Sequence, residues 1–209
     1  MAEQPKARIT PLPREQWTDA ARDVFAFWEG PEAREQGSRT NVMMVLANHP
    51  QLGQAYNQYS KHLLIDNTVP NRERELVILR VAFRTKSLYE WHYHVGYGLN
   101  FGLTLDEIAA IRLPPGEGDW SDHDRAILEA VDQLFADGNI DDHTWETLAE
   151  AFDRRQMMDL VMMIGHYTMT SWALTAFGVQ LEDWNDPIGF DLRTASGKTP
   201  QAAIRPVED

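Results

Sequence analysis

The sequence predicts an all-α protein, a bundle of seven or eight helices in one domain, and three observations point there. Apolar residues recur at helical spacing in segment after segment, the boundaries carry capping and stop signals, and no stretch alternates polar and apolar residues as a half-buried strand does. With 209 residues, 43% of them apolar, the chain is long enough for a compact core. The helical domain is expected over residues 13–181, between an N-terminal arm (1–12) and a C-terminal tail (182–209).

The arm is proline-rich and aperiodic, which marks a loosely ordered segment or a strap over the surface. Trp17, Ala21, Val24, Phe25 and Trp28 form one apolar stripe, so the first helix runs from Trp17 to Trp28 and stops at Gly30-Pro31. The charged run GPEAREQGSR reads as a loop, and Asn41 to Leu46 as a short helix. His49-Pro50 separates that from a helix to about Ile65, with His49 as a loop or capping residue. From Arg72 to about Phe83, Leu76, Leu79, Ala82 and Phe83 make one apolar face. Ser87-Leu-Tyr-Glu90 then matches a capping box opening the next helix, which Gly102 closes as a left-handed cap.

Thr104 to Glu107 repeats the capping-box pattern, and Pro114-Pro115 ends that helix at Leu113. A polar turn leads into a helix from Asp122 to Ala136, stopped by Asp137-Gly138. His123 and His143 lie among aspartates at helix starts and read as solvated. The last long helix, Arg155 to Phe177, is apolar nearly all round, the pattern of a helix buried in a core or at a subunit contact. Its polar insertions His166, Tyr167, Thr170 and Ser171 need partners, so they satisfy one another or line a pocket. After Gly178 periodicity is lost, and the tail is expected to be extended and to wrap a neighbour.

Composition narrows the function classes. A net charge of −13 argues against nucleic acid or an anionic membrane as partner, since both would be repelled. No apolar run approaches the ~20 residues that span a bilayer, and the opening MAEQPKARITPLPREQ does not have the form of a signal peptide, so a cytoplasmic location is expected. There is no cysteine, which fits that compartment.

Chemistry concentrates between Asn71 and Leu103. Glu75, Glu90, His92 and His94 lie there with Arg72, Arg74, Arg80, Arg84 and Lys86 and the rings of Phe83, Tyr89, Trp91, Tyr93, Tyr97 and Phe101. Glu90 and His94 are four apart and share a helix face, where they can exchange a proton directly or through one water. His92 projects the other way. A helical metal site prefers spacings of three or four, so His92 with His94 is a poor pair. Glu90 with His94 would need His166 or Glu75 to complete a set, and no metal or other cofactor is assigned.

In three features, Arg-Glu-Arg-Glu75-Leu, Tyr-Glu90-Trp-x-x-His94 and Gly-Leu-Thr-x-Asp-Glu107-Ile, the chain resembles the carboxymuconolactone decarboxylase family, which includes the AhpD-type alkylhydroperoxidases. The resemblance covers the two central helices strongly and the following helices, to Leu181, more loosely. In the peroxidase branch a first-helix glutamate precedes CxxC and a histidine four residues further on, positions held here by Glu75, Ser87, Glu90 and His94. Without a cysteine, thiol peroxidase and disulfide reductase chemistry is excluded, and the decarboxylase branch is the closer match. The resemblance implies an AhpD-like helical fold and a homo-oligomer, a trimer or a multiple of it, with sites near subunit boundaries.

The expected activity is therefore that of a cofactor-independent carbon–carbon lyase, a decarboxylase of a lactone, unsaturated acid or aromatic-derived compound. His94 is the expected general acid, with Glu90 orienting it and Glu75 relaying the proton. Arg84 and Lys86, nearest the break between the helices, are candidates to hold a substrate anion, and Tyr97, His166 and Tyr167 to line the pocket. The alternatives are formaldehyde release by retro-aldol cleavage and a non-catalytic helical oligomer that binds a small aromatic ligand or a partner protein.

Overall fold

The computed structural model describes residues 6–184 and 186–200. Among these residues there are ten α-helices and no strand, so the all-α expectation holds and the count exceeds the expected seven or eight. One addition is a four-residue helix inside GPEAREQGSR, the run read as a loop; one turn is too short to show a period. The chain divides into two compact units, residues 6–66 with 173–184, and residues 67–172 with 186–200.

The first unit holds α1 (Asp19–Glu29), α2 (Ala33–Gln36), α3 (Asn41–Leu46) and α4 (Pro50–Lys61), the last running into a π-helical turn at His62–Asp66. Thr18 caps α1 by accepting from Ala21 N–H at 3.2 Å, and His49 Nδ1 caps α4 by accepting from Leu52 N–H at 3.4 Å, with Pro50 opening that helix. Leu12, Ala21, Val24, Phe25, Met43 and Ala47 form the core, edged by Trp17. Buried Asn57 ties α4 to α1, donating to Val24 O at 3.2 Å and accepting from Trp28 Nε1 at 3.0 Å. The arm is a strap here: Arg8 and Ile9 N–H donate to Phe177 O, and Leu12 N–H to Met44 O. Gly178 (φ 68°) follows the final helix where Lys6 O would lie 2.0 Å from any Cβ, so only glycine fits.

The second unit holds α5 (Asn71–Thr85), α6 (Leu88–Asn100), α7 (Leu105–Ala110), α8 (Asp122–Asp137), α9 (Asp142–Ala149) and the part of α10 (Arg154–Phe177) up to Trp172. Helix α5 is buried almost without interruption from Arg74 to Ala82, which is why its apolar face runs wider than one stripe. Lys86 takes the left-handed conformation (φ 57°) between α5 and α6. Gly98 lets the pair close: a Cβ there would lie 3.1 Å from Leu103 Cδ1 and 3.2 Å from Leu79 Cδ1. The Thr104–Glu107 capping box forms as expected. Asp153 and Gln156 make a reciprocal cap for α10, with bonds of 2.9 and 2.8 Å.

Two of the central cations are clamps between helices. Arg72 grips Asp124 on α8 (2.9 and 3.0 Å) and Glu107 on α7. Arg80, 3% exposed, donates to Asp132 at 2.9 Å and to Leu113 O at 2.7 Å, filling acceptors left open beyond α7. The described part of the tail packs on its own chain: Ile188 N–H donates to His92 Nδ1 at 3.0 Å, Trp91 Nε1 to Gly189 O at 3.0 Å, and Arg112 to Phe190 O at 2.7 Å.

Candidate active site

The candidate catalytic residues converge inside the second unit. His94 is 5% exposed on α6 and Glu75 fully buried on α5. The His94 Nδ1–H donates to Glu75 Oε2 at 2.7 Å. On the other side of the ring Nε2 stands 3.4 Å from Glu90 Oε2. Glu75 is held in turn by Arg74, whose Nε donates to Oε1 at 3.0 Å and whose Nη1 donates to Asn71 Oδ1 at 2.8 Å. The Arg74 guanidinium lies 4.9 Å from the centre of the Phe101 ring. The result is a row of alternating charge, Arg74, Glu75, His94, Glu90, buried along its whole length.

This corrects the capping box read at Ser87. Ser87 is the N-cap of α6, but its hydroxyl takes no N–H, and the Glu90 carboxylate is at the imidazole. A charged imidazole outcompetes a neutral backbone N–H for a carboxylate. The Ser87 hydroxyl is buried with no hydrogen-bond partner among the described residues. Ser87, Glu90, His94, Tyr97 and Phe101 succeed one another at steps of three and four and so share one face of α6.

Electrostatics decide the protonation of His94. Burial alone works against its charged form, but the charge and hydrogen bond of Glu75, and then those of Glu90, outweigh it and raise the pKa from 6.5 to about 9. His94 is thus an imidazolium at neutral pH. The Tyr97 phenol is pushed above its ordinary value by burial and then by the Glu75 and Glu90 carboxylates.

Aromatic rings flank the imidazole. Tyr97 and Tyr167 each stand edge-on to His94 with centroids 5.3 Å away. His166, 4% exposed, packs edge-on to Tyr167 at 5.3 Å, and burial lowers its pKa to about 4, so it is neutral. The two cations chosen as anion anchors are engaged elsewhere: Arg84 pairs with Asp132 at 3.3 Å, and the Lys86 amine lies 3.7 Å from the centre of the Phe83 ring. His92, whose Nδ1 accepts from Ile188, secures the tail. Glu75 and Glu90 occupy opposite nitrogens of one ring, an arrangement for moving or holding a proton rather than for converging on a metal ion.

Arg74 was not singled out as a site residue in the sequence, and Ser87 entered only as a helix cap and as the counterpart of a cysteine position. Adjacent residues on a helix rarely face each other, so Arg74 beside Glu75 gave no spacing signal. Ser87 lies seven residues before His94, two turns along the same face, which was a usable signal.

Comparison with known proteins bears on the helical framework that carries these residues. Residues 50–133 match the model of the carboxymuconolactone decarboxylase family. No curated protein matches the chain. Among solved structures, the alkylhydroperoxidase AhpD core of an uncharacterized peroxidase-related protein from Ralstonia eutropha JMP134 superposes with a TM-score of 0.71 at 18% identity, over 91% of this chain and 97% of that one. An uncharacterized peroxidase-related protein from Silicibacter sp. TM1040 gives 0.69 at 18%, over 88% and 96%. The debrominase Bmp8, in a variant complexed with 2,3,4-tribromopyrrole, gives 0.66 at 15%, over 87% and 95%. The central helices thus match the carboxymuconolactone decarboxylase family model over residues 50–133, and the helical framework is that of AhpD-like structures.

Proposed function

We propose that this protein is a cofactor-independent lyase that removes carbon dioxide from a flat, unsaturated or aromatic-derived acid or lactone, with the His94 imidazolium as proton donor. The observation that carries the reading is the buried imidazole held at Nδ1 by Glu75 and faced at Nε2 by Glu90, charged through neutral pH. In decarboxylation the electron pair of the breaking carbon–carbon bond passes into a conjugated carbonyl as carbon dioxide leaves. The carbon left behind then takes a proton from Nε2, and solvent restores the imidazolium. Glu75 keeps the ring oriented and charged, and Arg74 keeps Glu75 in place.

Donation suits this site better than abstraction. A retro-aldol release of formaldehyde must begin with a base, and His94 already carries its proton. Tyr97 and Tyr167 suit a planar substrate, and the Ser87 hydroxyl, on the same face, suits the carbonyl oxygen that receives the electron pair. The debrominase with the same fold binds a brominated pyrrole.

The test is mass spectrometry of unsaturated acids, carboxylactones and hydroxylated aromatic compounds incubated in deuterium oxide with wild type and His94→Gln. Wild type is expected to give a product that has lost carbon dioxide and carries about one deuterium on the carbon that bore the carboxyl group, and His94→Gln to lose at least about a hundredfold in rate. Equal rates for the two proteins would remove His94 as the donor.

A further inference from the structure

Helix α10 leaves one line of its surface in water, and the line is apolar. Met158 is 64% exposed, Met162 52%, Met169 50% and Trp172 61%, and Gly165, also exposed, lies at their centre. These positions succeed one another at steps of four, three, four and three, the spacing of a seam between two helices. The stripe carries no charge in a chain whose net charge is −13. It is also close to a palindrome about Gly165: Met162 and Met169 lie three and four residues away, Met158 and Trp172 seven each.

A surface that reads the same from both ends fits a second copy of itself, turned by a two-fold axis. We infer that the exposed stripe of α10 pairs with the same stripe of a second copy, antiparallel, with the axis at Gly165. Met162 then faces Met169 of the second copy, and Met158 packs its thioether on the Trp172 ring. The glycine lets the backbones approach where they cross; a Cβ added there meets nothing of its own chain within 4 Å. The exposures leave roughly 450 Å² of side chain per copy in water, so that pairing approaches the ~1,000 Å² of a stable interface once the flanks are included. Charge favours the direction. Exposed Arg154 and Arg155 stand at the start of each α10, so parallel pairing would set these cations side by side, and antiparallel pairing holds the two pairs at opposite ends of the seam.

The absence of cysteine makes the test direct. Gly165→Cys is expected to convert under mild oxidation to a species of twice the chain mass. Met158→Cys, whose own mate lies ~20 Å away across the axis, is expected to stay uncrosslinked. In sedimentation, wild type is expected at twice the chain mass or an even multiple, and Met162→Lys at half the wild-type mass, with an unchanged helical circular dichroism spectrum. A monomeric wild type at about 100 μM, a concentration at which most specific interfaces are occupied, would overturn the inference. So would crosslinking at position 158 in place of 165, or an assembly that Met162→Lys leaves intact.

Discussion

Glu75 decides what kind of histidine His94 is. Its carboxylate and that of Glu90 together overcome the burial that would otherwise leave the ring neutral. In Glu75→Gln the largest raising influence is gone, so the His94 imidazole is expected to titrate below neutrality instead of at about 9, which NMR titration of the ring reads directly. The alkaline limb of kcat/KM should move down with it. Stability at pH 7 should fall by roughly 3 kcal/mol, because Arg74 is left buried without its carboxylate. Sequence spacing carried half of this residue-level picture. Glu90 and His94 are four apart and meet within one helix, but Glu75 reaches His94 across 19 residues and a helix break, a tertiary contact that periodicity cannot specify. For Arg84 and Lys86, nearness to the break says nothing about competition, and each has a partner within its own chain, Asp132 and Phe83.

At the scale of elements, α5 is the organising helix, and it carries its cations inward. The sequence gives no sign that Arg72 and Arg80 turn inward, because arginine is rarely buried without a partner and the partners, Asp124, Glu107 and Asp132, lie 35 to 52 residues away. Arg80→Ala is expected to cost about 3 kcal/mol, since it strips the carbonyls beyond α7 of their donor and leaves Asp132 with Arg84 alone. A urea titration checks this, and the m-value should stay unchanged if the loss is local. Long helices were legible from their stripes and caps. The four-residue α2 and the false capping box at Ser87 were not: one lacks a full period, and in the other a charged side chain overrode a local pattern.

For the whole molecule, two buried histidines set opposite dependences of stability on pH. His94 binds its proton more tightly folded (about 9) than unfolded (6.5), so its contribution is fully present below pH 6.5 and is lost as pH rises to 9. His166 binds its proton less tightly folded (about 4) than unfolded (6.5), so its contribution is present above pH 6.5 and is lost as pH falls to 4. Each limb is worth roughly 3 kcal/mol from the size of the shifts. The melting temperature should therefore peak between pH 6 and 7, with His94→Gln flattening the alkaline side and His166→Asn the acidic side. If both variants kept the wild-type profile, neither histidine would be the titrating group.

The tail's return to α6 also bears on how the protein is made. The helix that carries Glu90 and His94 is synthesised long before the segment that backs it, for Ile188 reaches His92 across 96 residues and Gly189 reaches Trp91 across 98. A nascent chain halted before Ile188 holds every residue of the charge row yet leaves Trp91 and His92 without their tail partners. Competence for chemistry would then arrive late in translation, when the growing polypeptide closes over the back of its own reactive helix.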